Sequence, residues 1–329
     1  MTRIIQPFET FNGVHCETNA TGCLLKQAGV HLSEPMLFGL GEGLGFVYWN
    51  MKSMGFPFIG GRLKPGGITR NLAKNLPLEI EFKETSSVKK AWNNVKEALD
   101  QGIAVGLQLD CYHLEYFGAK VHFAGHFAAM YGYDDEFAYL VDTSPSHGLV
   151  KSKLNNLAMA RNEKGPMAAK NLMYTIVPPK TPVDLNKALR TSITNNAHQH
   201  INPPIQNLGY KGILKTSQEL KKWFKESKNL EYEFTTIAMI MEKAGTGGAL
   251  FRNMYRDFLE ETNSIFGEPK LHQAKTMFEG IAKDWTQVAQ CIHEAGENSD
   301  EVRLLEACAL LESLSEKERQ AMSLLADHK

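Results

Sequence analysis

The sequence lacks the features that place a protein most quickly. No stretch approaches the ~18 consecutive apolar residues of a membrane-spanning helix. The opening MTRIIQPFETFNG has no apolar core of the secretory kind. Membrane insertion and export by that route are therefore not expected, and the expected location is the cytoplasm. Neither charge sign is in excess: 36 Lys plus Arg stand against 37 Asp plus Glu, a formal net charge of -1. No global field then steers the chain to nucleic acid or to an anionic membrane. Cysteine is scarce, 5 in 329 residues, odd in number and without a CxxC pair. That argues against a disulfide framework or a zinc knuckle and fits a reducing compartment. A GxGxxG loop, a Walker loop and an HExxH helix are all missing, and no repeat of fixed period stands out.

What is present is the composition of an ordinary folded chain, 43% hydrophobic and 22% charged, long enough for about two domains of ~150 residues. Asn12-Gly13 reads as a turn. Glu17 to Gln27 allows a helix, with Ala20, Cys23, Leu24 and Gln27 about one turn apart and Gly29 as its stop. Glycines 39, 41, 43 and 45 alternate with larger residues. They read as close backbone packing, with direct ligand contact as the alternative. SVKKAWNNVKEAL predicts an amphipathic helix with Val88, Trp92, Val95 and Leu99 as its stripe. IAVGLQLDCYHL, VHFAGHFAAMYGYD and FAYLVDTS predict strands, the last two joined near Asp134-Asp135. Residues 148–170 are polar and predict a surface return, and LMYTIVP predicts a closing strand. Pro178, Pro179 and Pro182 then mark a shift to helical patterning. The expectation is an α+β domain over residues 1–180 and a mainly helical domain over 181–329.

One cysteine stands apart by position. Cys16 opens the first predicted helix, where unpaired backbone N–H groups and the helix dipole lower a thiol pKa. Cys23 is its nearest competitor. Cys111, in a strand pattern, and Cys291 and Cys308, in helical ones, read as structural. His126 lies among small and apolar residues and needs a partner. Asp142, sixteen positions on, ends the next strand, and a hairpin brings the two together across the ladder. A carboxylate there fixes the imidazole tautomer and raises its basicity, the arrangement that activates a thiol. His15, adjacent to the thiol in sequence, points elsewhere and ranks below His126.

The strings HCETNATGCLLKQAG and LSEPMLFGLGEGLGFVY resemble the N-terminal domain of the butirosin biosynthesis protein H family. GTGGALFRNMYRDFLEE resembles the uncharacterised C-terminal domain usually found behind it. The resemblance implies a papain-like cysteine peptidase/acyltransferase fold with a mainly helical C-terminal domain. In that fold the nucleophile starts a long helix, and histidine and aspartate lie on consecutive strands. Cys16, His126 and Asp142 match that order. The sequence departs from the resemblance in one place: papain-like enzymes usually carry a glutamine a few residues before the nucleophile as oxyanion donor, and here Asn12, Gln6 or backbone N–H groups at Cys16 would serve. Asn12 is nearer in sequence and Gln6 is the usual residue type. Asn12 is the candidate, with a plain turn residue as its alternative.

The activity implied by the resemblance is a cysteine-dependent acyltransferase of natural-product biosynthesis. It moves an acyl or aminoacyl group from a thioester donor to an amine-bearing small molecule. The donor is a small thioester or a phosphopantetheine-linked chain on an acyl carrier protein. A cysteine hydrolase acting on a peptide, amide or thioester would use the same three residues. A non-catalytic small-molecule-binding protein would keep the fold alone. No bound cofactor is expected, and homo-oligomerisation is compatible with the sequence.

Other residues carry weaker expectations. Asp110 is a candidate for holding a substrate amine and Tyr112 for lining a pocket, against a plain strand terminus. His122, four before His126, would share its strand face. A zinc site of these two with Cys16 and Asp142 is not expected without a close cysteine pair or HExxH. Gly247, in the turn Gly245–Gly248, and Arg252 are candidates for binding a carrier's phosphate through exposed N–H groups and the guanidinium. The alternative for Arg252 is an ion pair with a local acid.

Overall fold

The computed structural model describes residues 2–51, 54–118, 121–143, 148–178 and 184–327. In chain order its first elements are β1 (Arg3–Ile4), α1 (Cys16–Gln27), α2 (Glu34–Leu40), β2 (Leu44–Trp49), β3 (Phe58–Arg62), α3 (Gly67–Asn75), β4 (Glu79–Lys83) and α4 (Val88–Asp100). Then come β5 (Val105–Leu109), a 3-10 turn (Cys111–His113), β6 (His126–Tyr133), β7 (Phe137–Val141), β8 (Leu149–Lys153), α5 (Leu154–Asn162) and β9 (Met173–Val177). The rest is helical: α6 (Leu185–Ile201), α7 (Gly209–Glu226), α8 (Leu230–Lys243), a 3-10 turn (Ala249–Phe251), α9 (Arg252–Phe266), α10 (Pro269–Asn298) and α11 (Glu301–Ala326). Among the described residues no helix is long and apolar enough to cross a membrane.

Two compact units form. The first holds Met1–Leu37 and Lys64–Asp184, the second Phe38–Leu63 and Leu185–Lys329. The boundary expected near residue 180 falls among residues 179–183, outside the described residues. Residues 38–63, expected in the first domain, group with the helices instead, for a packing reason. Phe38 stacks on Phe251 at 5.3 Å, and a Cβ on Gly39 would lie 2.1 Å from the Phe258 ring. The glycine-rich stretch therefore owes at least Gly39 to close packing.

The first unit is α+β. Its sheet runs β4-β9-β5-β6-β7-β8, with β1 also on β6, every pair antiparallel. On one face Val105, Leu107 and Leu109 of β5 and Ala128 and Met130 of β6 pack with Val95 and Leu99 of α4 and Leu157 of α5. Each fully buried Val, Leu or Met among them contributes roughly 1.5–3 kcal/mol. Ser87 caps α4 by accepting from Lys90 N. The buried stripe of α4 is Ala91, Val95, Ala98 and Leu99, while Val88, expected in it, is 42% exposed. The opposite face carries α1: Thr21 Oγ1 is 2.9 Å from the Tyr174 hydroxyl, and the Tyr174 ring fills the space a Cβ on Gly106 would need. Residues 148–170, expected as a surface return, instead supply β8 and α5.

In the second unit the β2–β3 hairpin packs among the helices, β2 against α6 and α7. The 30-residue α10 starts with Pro269, where the missing N–H costs no helical bond, and packs on α8, α9 and α11.

Candidate active site

The β6–β7 hairpin sets two of the three expected residues. Asp134 makes the reversal, accepting from the backbone N–H of Glu136 (2.8 Å) and Phe137 (2.6 Å). Ala129 pairs with Val141, so Asp142, one residue further, lies diagonal to His126 rather than opposite it. The reach is still short: His126 Nε2 and Asp142 Oδ2 are 2.8 Å apart, both side chains buried. Burial alone would lower the His126 pKa. The Asp142 charge outweighs it, with the Cys111 thiol acting in the same direction, and holds the imidazole well above its usual value. Burial would likewise raise the Asp142 carboxyl, but His126 and the hydrogen bonds to Tyr116 and Thr143 keep it below the usual carboxylate range.

Tyr116 is a neighbour of the pair that the sequence did not reveal. Its hydroxyl donates to Asp142 Oδ2 at 2.7 Å, and burial with the Asp142 charge pushes its own pKa far up, so it remains a donor. Thr143 N donates to Oδ1 at 2.6 Å. Phe117 sets its ring edge-on to His126 at 5.3 Å. No spacing rule links Tyr116 to Asp142, because the segment between β5 and β6 has no periodic pattern.

Cys16 is the first residue of α1, buried, with His15 as N-cap in extended backbone. The approach to the helix is fixed by Glu34, which accepts from Val14 N (2.9 Å), His15 N (2.9 Å) and Thr18 Oγ1 (2.7 Å). Glu17, also buried, turns the other way and accepts from Gly66 N and Thr69 N at the start of α3. At the far end of α1 the Gln27 side chain accepts from Ala104 N and donates to Gly102 O. The helix is therefore antiparallel to β5, and its N-terminus lies at the sheet edge where β5 ends and β6 begins. His126 starts β6 at that same edge. Its side chain shares the face of Leu109 and Ala128, whereas α1 covers the face of Tyr174. Cys16 and His126 thus lie toward the same end of the sheet.

Cys111 is half-buried in the turn after β5, two residues past Leu109, the cross-strand partner of His126. The strand placement expected for Cys111 does not hold, because β5 ends at Leu109 and Cys111 opens the 3-10 turn that follows. Cys23 is excluded as a rival: it is fully buried, accepts from Phe11 N at 3.3 Å, and burial pushes its pKa up to about 11.

The remaining candidates separate. Asn12 is exposed just before the helix. Asp110 is buried and caps the Cys111–His113 turn through Tyr112 N at 2.8 Å, and its other oxygen is 3.4 Å from His122 Nδ1. Tyr112 stacks on the His122 ring at 4.1 Å. His122 precedes β6 and does not share a strand face with His126. Arg252 corrects its expectation. It is fully buried and holds Glu318 through two bonds of 2.8 and 2.9 Å, which leaves no guanidinium face for a phosphate. The Gly245–Gly248 turn also turns inward: Gly248 N donates to Thr246 Oγ1 and Ala249 N to Glu242. Gly247 is exposed, and its carbonyl accepts from Asn253.

Residues 155–325 match the family described as a domain of unknown function, DUF4872, and residues 15–143 match the family described as butirosin biosynthesis protein H, N-terminal. The first match covers more than half of the chain, which belongs to the DUF4872 family. The second begins at His15 and ends at Thr143, so it includes Cys16, His126 and Asp142. No curated protein matches the sequence. Among solved structures the chain is similar to one described as a C39-like peptidase from Bacillus anthracis. The two are 14% identical with a TM-score of 0.37, over 54% of this chain and 98% of that one.

Proposed function

We propose that the protein is a cysteine-dependent acyltransferase acting between a thioester donor and an amine. The observation that carries this reading is the buried His126–Asp142 couple at 2.8 Å, inside the stretch that matches the butirosin protein H N-terminal family. Cys16, at the N-terminus of α1, is the nucleophile of the proposal. Its thiolate attacks the thioester carbonyl and forms an enzyme thioester. The donor thiol leaves and takes its proton from the His126 imidazolium. An amine then attacks the enzyme thioester, gives its proton to His126 and expels the Cys16 thiolate. Asp142 keeps one imidazole nitrogen hydrogen-bonded throughout, so the other does the proton transfer. Asn12 and backbone N–H groups at the start of α1 are the candidate oxyanion donors. The donor proposed is an acyl or aminoacyl thioester, small or carried on the phosphopantetheine of a carrier protein. The acceptor is an amine-bearing small molecule.

The place of Cys111, half-buried and two residues past Leu109, the cross-strand partner of His126, supports a second reading of the same chemistry, with Cys111 as the nucleophile. One experiment decides between them. Wild type, Cys16→Ala and Cys111→Ala are incubated with acyl-N-acetylcysteamine thioesters, and intact mass is recorded. The proposal expects an acyl adduct on wild type and Cys111→Ala and none on Cys16→Ala. An adduct lost only in Cys111→Ala moves the nucleophile. Release by water at the same rate with every amine tried favours a hydrolase. No adduct on any thiol leaves a binding protein.

A further inference from the structure

We propose that His113, His122 and Glu163 form a zinc(II) site beside the catalytic hairpin. The ligand atoms these three side chains offer all lie within 4.8 Å of one another. They come from three separate places in the chain: His113 closes the turn after β5, His122 lies in the approach to β6, and Glu163 follows α5. His113 Nε2 is already 2.7 Å from Glu163 Oε2. A tetrahedral zinc with bonds of ~2.0–2.2 Å sets its ligand atoms roughly 3.3 Å apart. The close pair must open by about half an ångström, and the widest pair, within 4.8 Å, must close by up to about 1.5 Å. The His122 side chain is 60% exposed and can make that adjustment.

The chemistry of the set fits this metal. Two imidazoles and one carboxylate are zinc ligands, and they neutralise only part of its charge. The His113 and Glu163 side chains are 17% and 25% exposed, so the site opens to solvent on the His122 side and a water completes the coordination. The surroundings already orient the donors. The buried Asp110 carboxylate lies 3.4 Å from His122 Nδ1, the outer carboxylate that fixes a ligating imidazole in many metal sites. Tyr112 stacks on the same ring with planes only 10° apart. The second Glu163 oxygen accepts from Lys164 N at 2.8 Å.

An ion here would tie the approach to β6 to the end of α5. That approach carries Tyr116, which donates to Asp142, and Phe117, which packs on His126. Zinc would therefore stiffen the wall of the candidate active site without touching the reacting atoms. The site stands independently of the acyl-transfer reading.

The test uses the full chain, stripped with chelator and desalted. Zinc binding is followed by titration calorimetry, and cobalt(II) substitution by visible ligand-field absorption. The expected result is one zinc per chain, weakened about 100-fold in His122→Ala, with a similar loss in His113→Ala and at least about tenfold in Glu163→Gln. His122 is exposed, so its variant keeps the fold, which circular dichroism checks. Wild-type binding by His122→Ala overturns the proposal. So does zinc binding lost only in Cys16→Ala or Cys111→Ala, or no stoichiometric binding by wild type.

Discussion

Asp142→Asn keeps the shape of the side chain and removes its charge, and the consequences can be worked out contact by contact. The carboxylate takes hydrogen bonds from His126 (2.8 Å) and Tyr116 (2.7 Å) on one oxygen and from Thr143 N (2.6 Å) on the other. An amide supplies one acceptor oxygen and a donor group, so either the His126–Tyr116 side or the Thr143 side loses its acceptor. Removing one partner of a buried pair costs about 3–5 kcal/mol. The imidazole can escape part of that cost by releasing its proton, which places the loss near ~3 kcal/mol. At about 2–4 °C per kcal/mol for a unit of this size, the first unit should melt roughly 6–12 °C lower.

The pH dependence carries the sharper test. The folded pKa of His126 is raised, so its contribution is complete below the unfolded value of ~6.5 and disappears as pH rises through the folded pKa. The folded pKa of Asp142 is lowered, so its contribution is present above ~3.8 and disappears as pH falls through the folded value. The gap between wild type and Asp142→Asn should therefore be widest between about pH 4 and pH 6.5 and narrow on either side. Thermal melts followed by circular dichroism from pH 3 to pH 10 measure it. A gap that is constant over this range, or below ~0.5 kcal/mol throughout, would refute the ion-pair account. Turnover on the true substrate should fall by about 10⁴, the cost of the wrong imidazole tautomer in a comparable triad.

Iodoacetamide at neutral pH should label Cys16 before Cys23, whose buried thiol is pushed up to about 11. Peptide mapping over time reads the order, and equal rates would contradict the burial argument. In the helical unit Glu318 holds Arg252 and lies 3.0 Å from His200, and its carboxyl is depressed to about 2 despite burial. Glu318→Gln should cost about 3–5 kcal/mol in denaturant unfolding, and the pair Arg252→Met with Glu318→Leu should recover most of it. Gly106→Ala would set a Cβ 2.1 Å from the Tyr174 ring and should cost at least ~1–3 kcal/mol. Gly280→Ala, at an exposed position of α10 with nothing within 4 Å of the new Cβ, should gain roughly 0.5–1 kcal/mol. A stabilised Gly106→Ala in the same assay would show that the sheet yields there.

The sequence by itself determined the elements whose pattern is local. Cys16 sits at the first turn of α1 because the helical spacing through Cys23 and Leu24 begins there. The β6–β7 hairpin follows from alternation on both sides of Asp134-Asp135, and with it the meeting of His126 and Asp142. The helical character beyond residue 184 was legible for the same reason. Only the tertiary structure decided what depends on contacts distant in sequence. Tyr116 reaches Asp142 across 26 positions. Arg252 finds Glu318 across 66, so a guanidinium that reads as a phosphate ligand is a buried ion pair. Residues 38–63 join the helices because Gly39 admits the Phe258 ring, a complementarity of shape that no periodicity encodes. Cys111 reads as a strand residue, yet β5 stops at Leu109 and the turn capped by Asp110 sets it just past the cross-strand partner of His126. Local spacing fixes which face of its own element a side chain occupies, and the packing of those elements fixes what it meets.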